Sequence, residues 1–91
     1  MEVKFKPSFF KDLKTLPAKV KKDVDTCIHQ LVIAATLESA EGIDYKKMKG
    51  KKNEHYYRIR IGNYRIGCEY IRPDIILITV MSRGSIYKSF P

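Results

Sequence analysis

The sequence predicts an α+β fold: an N-terminal strand, then two helices packed on one face of a small, mainly antiparallel four-stranded sheet. Three observations carry this. Between Pro17 and Ala35 the apolar residues recur at threes and fours, the spacing of one buried helical face. Residues 54–82 fall into three β-prone runs separated by Gly62-Asn63 and Arg72-Pro73-Asp74, both strong turn signals. Finally, 91 residues suffice for one core and about two layers of secondary structure, so residues 1–91 read as a single domain.

Each element follows from its residues. Glu2-Val-Lys-Phe-Lys6 alternates polar and apolar side chains and reads as a short strand that Pro7 ends. Ser8 is the expected N-cap of a short helix, Phe9 to Thr15, with Phe9, Phe10, Leu13 and Leu16 as its apolar positions. Pro17 suits the first turn of a second helix, whose stripe is Val20, Val24, Cys27, Ile28, Leu31, Val32 and Ala35. That helix fades over residues 36–41, and Gly42 marks the break. Ile43 to Asn53 reads as a connector carrying Lys46, Lys47, Lys49, Lys51 and Lys52. Strands follow at about 54–61, 64–71 and 75–82, and the chain after Arg83-Gly84 is expected to form no further helix.

Strand residues two apart share a face. A two-residue Gly62-Asn63 turn pairs Ile61 with Tyr64, Arg60 with Arg65 and Arg58 with Gly67. The helical stripe then faces Tyr57, Ile59, Ile61, Tyr64, Ile66, Cys68, Ile76, Ile78 and Val80, while Arg58, Arg60, Arg65 and Glu69 lie on the other face. A three-residue second loop, pairing Ile71 with Ile75, sets Arg65 opposite Met81 and brings Arg83 beside Arg65. Like charges directly opposite are destabilising, so a chain that gathers arginines is prepared to meet an anion.

The charge distribution agrees. Residues 1–45 hold seven lysines and seven acids, and residues 46–91 hold eleven Lys/Arg against Glu54, Glu69 and Asp74, so the whole net charge of +8 lies in the second half. A one-sided basic surface attracts polyanions, nucleic acid first. No run reaches the roughly 18 apolar residues of a membrane helix, and no signal-peptide core opens the chain, so no membrane association and a cytoplasmic setting are expected. Cys27 and Cys68 form no CxxC pair and are expected to be buried and reduced.

An arginine cluster suits phosphate, because the planar guanidinium donates two parallel hydrogen bonds to phosphate oxygens and can stabilise charge developing there. Tyr56 and Tyr87 add faces on which bases could stack, and the lysine run could track a backbone. His29 lies on the helix, where a surface or packing role suffices, and Glu69 reads first as a charge partner for the arginines. There is no zinc-spaced Cys/His cluster, Gly-rich phosphate loop or HExxH motif, so neither a metal nor a cofactor is expected.

The chain resembles the RelE/ParE superfamily of bacterial and archaeal type II toxins over nearly its whole length. The resemblance rests on Phe9-Phe10-Lys-Asp-Leu13, Met48-Lys-Gly50, Tyr57-Arg-Ile-Arg-Ile-Gly-Asn-Tyr-Arg65 and Ile78-Thr-Val-Met-Ser-Arg-Gly-Ser-Ile-Tyr-Lys88, in that order and spacing. It implies the RelE-like microbial RNase fold. The pattern looks closer to the RelE branch, which cuts mRNA in the ribosomal A site, than to the ParE branch, which poisons DNA gyrase. The alternatives are such a gyrase inhibitor and an inactive RNA- or antitoxin-binding homologue.

By resemblance, Arg58 and Arg60 match the basic pair on the family's second strand. Arg65 matches the arginine of Gly-x-Tyr-Arg, and Arg83 with Tyr87 match a C-terminal Arg-x-x-x-Tyr. The implied reaction is attack of the RNA 2′-hydroxyl on the adjacent phosphate, with Arg65 and Arg83 clamping the phosphate and Tyr87 stacking on a base or moving a proton. The best-known members carry lysines where this chain has Arg58 and Arg60. Arginine cannot give up its proton, so the general base is left open between Tyr87, Glu69, His55 and a ribosomal group. A cognate antitoxin is the implied protein partner.

Overall fold

The structure, a computed structural model, describes residues 1–50 and 54–90. Strand β1 (Glu2–Phe5) leads into helices α1 (Pro7–Lys14) and α2 (Ala18–Ile33). Strands β2 (Tyr45–Lys47), β3 (Tyr56–Ile61), β4 (Tyr64–Ile71) and β5 (Asp74–Ser82) follow, then helix α3 (Arg83–Ser89). The sheet runs β1-β5-β4-β3-β2, with β1 parallel to β5 and the remaining pairs antiparallel. The α+β class and the pairing of helices α1 and α2 with one sheet face agree with the sequence reading. Among the described residues the sheet has five strands rather than four, because the first residues of the lysine-rich connector pair with β3 as Tyr45↔Ile59, Lys46↔Arg58 and Lys47↔Tyr57.

The core lies between the two helices and the sheet. Phe9 of α1 and Val24, Cys27 and Leu31 of α2 are buried against Ile59, Ile66, Cys68, Ile75, Leu77 and Val80. Val32, expected on the buried stripe, is 51% exposed. It follows Leu31 by one residue, a rotation of roughly 100°, and so falls off the face that Val24, Cys27 and Leu31 define. Ser8 is not a cap. Helix α1 starts at Pro7 with Lys6 at the N-cap and no side-chain bond there, and the Ser8 hydroxyl donates to the Ile78 carbonyl of β5 instead. Both cysteines are free and buried, and burial pushes the Cys27 thiol up to about 12.

The β3–β4 hairpin forms in the predicted register, Ile61↔Tyr64, Arg60↔Arg65 and Arg58↔Gly67. Gly62 has φ +56° and Asn63 does not have positive φ, the pattern of a turn with glycine first. The β4–β5 hairpin differs. Ile71 pairs with Asp74, not Ile75, so the loop is two residues, Arg72 and Pro73. Asp74 is a strand residue because it also pairs with Glu2 of β1 and accepts a 2.8 Å hydrogen bond from Lys4 Nζ. The one-residue shift puts Ile75 and Leu77, rather than Ile76 and Ile78, in the core. A bulge on β5, with Ile78 as the extra residue opposite the Gly67–Cys68 step of β4, then restores the expected frame: Cys68↔Leu77 is followed by Gly67↔Thr79, Ile66↔Val80 and Arg65↔Met81.

The expectation of no C-terminal helix is overturned by α3. Ser82 caps it, its hydroxyl accepting from the Ser85 N–H at 3.4 Å, and Ile86 and Phe90, four residues apart, bury themselves on the face opposite α2. Gly84 reads as a breaker in sequence, but one glycine costs a helix only ~1 kcal/mol, and two buried anchors outweigh it.

Candidate active site

The sheet's second face carries the charge. Opposite the core, β3 presents Arg58 and Arg60 and β4 presents Arg65, with Arg60 and Arg65 directly paired. Strand β2 adds Lys46 opposite Arg58. One residue before β2, the Asp44 carbonyl accepts a 2.8 Å hydrogen bond from the Arg60 N–H, which continues the ladder and sets Asp44 opposite Arg60. These five residues, with Tyr45 and Tyr87, line a pocket of about 180 Å³.

Helix α3 brings Tyr87 to this pocket, while Arg83, one turn earlier on the helix, does not line it. The Arg83 N–H donates to the Asn63 carbonyl at 2.9 Å, pinning the start of α3 to the β3–β4 turn. Four residues on, one turn along the helix, the Tyr87 ring meets the Arg58 guanidinium, whose Cζ lies 4.4 Å from the ring centroid. Tyr87 remains 60% exposed, so the rest of its ring is open to a ligand. A hydrogen bond from Arg83, then the charges of Arg58, Arg83 and Arg65, hold the Tyr87 phenol below its ordinary pKa. Each of them favours the phenolate. We expect Arg83→Gln to move the Tyr87 titration back toward that of an ordinary tyrosine, measured by ultraviolet difference absorbance or by NMR. An unchanged titration would show that Arg58 and Arg65 alone set it.

Arg65 is held by its own turn. Its Nη1 donates to the Gly62 carbonyl at 2.9 Å and to the Tyr64 carbonyl at 2.8 Å, and among the described residues its Nε and Nη2 have no protein acceptor. A guanidinium tethered at one end and unspent at the other is set to receive an oxyanion. Arg83 reaches this cluster by a route other than strand parity: β5 ends at Ser82, and α3 turns Arg83 back over the hairpin.

The remaining sequence candidates are placed elsewhere. Tyr56 lies on the same face but packs against the Phe90 ring, centroids 5.5 Å apart, and lines a separate groove with Phe90, Thr79 and Met81. Glu69 pairs with Tyr56 and Ile76, beyond Gly67, and makes no ion pair with an arginine among the described residues. His55 is exposed and its carbonyl accepts from the Tyr70 N–H at 2.9 Å. His29 is exposed on α2, and neither histidine lines the arginine pocket. Lys47 pairs with Tyr57 and so points to the face away from Lys46. Lys49 is exposed beyond β2, and Lys51 and Lys52 lie outside the described residues.

Asp44 and Tyr45 are the pocket residues that sequence reasoning missed. The signal was the alternation Ile43-Asp44-Tyr45-Lys46, whose apolar members match the core face of β3 and whose charged members match the arginine face. Phe90 was missed with α3.

The chain matches, over residues 3–87, the family model described as the ParE toxin of the type II toxin–antitoxin system parDE. It is 43% identical over 91 residues, all of both chains, to Toxin RelE3 of Methanocaldococcus jannaschii. Its fold is similar to that in the RelB-RelE antitoxin-toxin complex from Methanococcus jannaschii, with TM-score 0.81, 40% identity and coverage of 97% of this chain and 99% of that one. A more distant likeness is the archaeal RelE-RelB complex from Pyrococcus horikoshii, with TM-score 0.69, 23% identity and coverage of 91% and 94%.

Proposed function

The chain belongs to the ParE toxin family of type II toxin–antitoxin systems and is a toxin of that kind, and we propose that it acts as a ribosome-dependent mRNA endoribonuclease. The observation that carries this reading is one pocket in which Arg58, Arg60, Arg65 and Tyr87 converge, with Arg83 one helical turn before Tyr87 on α3. Such a set suits a scissile phosphate in single-stranded RNA.

The RNA 2′-oxygen attacks the adjacent phosphorus, the P–O5′ bond breaks, and a 2′,3′-cyclic phosphate and a 5′-hydroxyl remain. Arg65 and Arg83 hold the non-bridging oxygens and offset the charge that grows on them, the contribution of preorganised donors. Arg58 and Arg60 add positive potential but cannot accept a proton. Tyr87, made more acidic by Arg83, donates to the departing 5′-oxygen, and its exposed ring supports a neighbouring base. Lys46, on the arginine face, extends the basic track for the message. The message is presented in the ribosomal A site, which completes the site, so little cleavage of free RNA is expected.

The partner that restrains the toxin is a cognate antitoxin, as in the RelB-RelE complexes to which the fold is similar. We place the protein in the cytoplasm, where translation occurs; no helix of the described residues is long and apolar enough to cross a membrane.

Brief induction followed by mapping of mRNA 5′ ends tests the reading. New 5′-hydroxyl ends should appear within translated regions and vanish when the start codon is removed. Inhibited supercoiling with a DNA-damage response and no mRNA cuts would assign the protein to gyrase instead. Induction without any growth effect would mark an inactive homologue.

A further inference from the structure

A pocket of arginines leaves the proton of the 2′-hydroxyl without an acceptor. Lys46, Arg58, Arg60 and Arg65 carry donors only, and Tyr87 serves the leaving oxygen. The remaining lining residues are Tyr45 and Asp44, and only Asp44 is an acceptor-only group.

Its placement is set by the sheet. The Asp44 carbonyl accepts from the Arg60 N–H at 2.8 Å, and the next pairs, Tyr45↔Ile59 and Lys46↔Arg58, fix the parity. Asp44 therefore shares the face of Lys46, Arg58, Arg60 and Arg65, while Tyr45 turns to the core side, its ring 6.0 Å from that of Tyr57. A residue that served only to neutralise Arg60 would be expected to form an ion pair with it. Asp44 is exposed and forms no ion pair within 4.0 Å among the described residues, so its carboxylate is unspent.

We infer that Asp44 is the general base of the site, taking the proton from the RNA 2′-hydroxyl. This rests on the endoribonuclease reading. The balance is complete: the 2′-O–H proton goes to the Asp44 carboxylate, the O2′–P bond forms, the P–O5′ bond breaks, and O5′ takes the Tyr87 proton. Asp44 then loses its proton to solvent, and Tyr87 regains one. The surrounding cations hold the phosphate without competing for the proton.

The test uses the purified full chain and ribosomes programmed with a defined message, in single turnover. Cleavage by the wild-type protein comes first; its absence sinks the endoribonuclease reading itself. With cleavage established, Asp44→Asn should lower the rate by ~10²–10⁴-fold, the usual share of a general base. Ribosome affinity and melting temperature should be unchanged, since the side chain is exposed. The acid limb of the pH–rate profile should disappear, and Asp44→Glu should restore both limb and much of the rate. A rate within threefold of wild type overturns the inference. So does a loss that tracks weakened ribosome binding with the acid limb intact, or full activity on a shifted sequence, which would make Asp44 a reader of base edges.

Discussion

Replacing Arg65 and Arg83 together by alanine is expected to abolish toxicity and to lower ribosomal cleavage by ~10⁴-fold or more. Removing one preorganised donor to a developing oxyanion commonly costs ~10²–10³-fold. Two such groups on one phosphate act as a unit, so the double loss need not equal the product of the single ones. Each arginine also does something besides its proposed contact with phosphate. Arg65 ties the Gly62 and Tyr64 carbonyls, and Arg83 helps to hold the Tyr87 phenol below its ordinary pKa. Lysine at either position keeps the charge but loses the two-pronged geometry, and should recover only part of the rate. The bonds of Arg65 to its own turn lie largely at the surface, so the double variant should melt within a few degrees of wild type. Retained growth arrest in a folded double variant would overturn the assignment of both residues.

The contrast between what the sequence disclosed and what it concealed has physical causes. The arginine face was legible because the Gly62-Asn63 turn leaves little freedom: once the turn has two residues, the positions of Arg58, Arg60 and Arg65 follow from pleat parity. The β4–β5 frame came out right at Arg65↔Met81 for an incomplete reason. The sequence reading gave the loop one residue too many and omitted the bulge, and the two errors cancel beyond Gly67. No local pattern announces a bulge in β5, where Ile75 to Val80 is apolar or β-branched throughout and suits either register. Strand β2 was hidden by its composition, since lysines read as a solvated connector. Its backbone pairs with β3 all the same, and its edge position keeps Lys46 and Lys47 exposed. Helix α3 was hidden by Gly84 and by its length. Seven residues cannot form a stable helix alone, and this one exists because Ile86 and Phe90 are buried on the sheet.

That dependence makes the site vulnerable far from its chemistry. Tyr87 and Arg83 are positioned by a short helix whose last anchor, Phe90, rests on a glycine. A Cβ at Gly67 would lie 2.7 Å from Phe90 Cδ1 and 2.8 Å from Cε1 and Cγ. The ring cannot swing aside freely. It is 7% exposed, it packs edge-on against Tyr56, and its N–H donates to the Ile86 carbonyl at 3.0 Å.

Gly67→Ala should therefore act against the usual trend. In a strand interior, alanine normally gains ~0.5–1 kcal/mol over glycine by restricting the unfolded chain. Here overpacking should reverse the sign and cost ~1–3 kcal/mol, read as a lower denaturation midpoint with unchanged slope. The larger effect falls on function. If Phe90 lifts, α3 shifts, Tyr87 leaves Arg58, and its titration moves up toward an ordinary tyrosine. Ribosomal cleavage should fall although no proposed catalytic group has been touched. Phe90→Ala alone leaves a void over Gly67 and is also destabilising. In the double variant the new methyl occupies part of that void, so the two changes should couple favourably by ~0.5–3 kcal/mol. Additive losses, or a Gly67→Ala protein as stable as wild type with Tyr87 titrating as before, would show that the ring yields without moving the helix, and that α3 is held by Ile86 and the Asn63 bond instead.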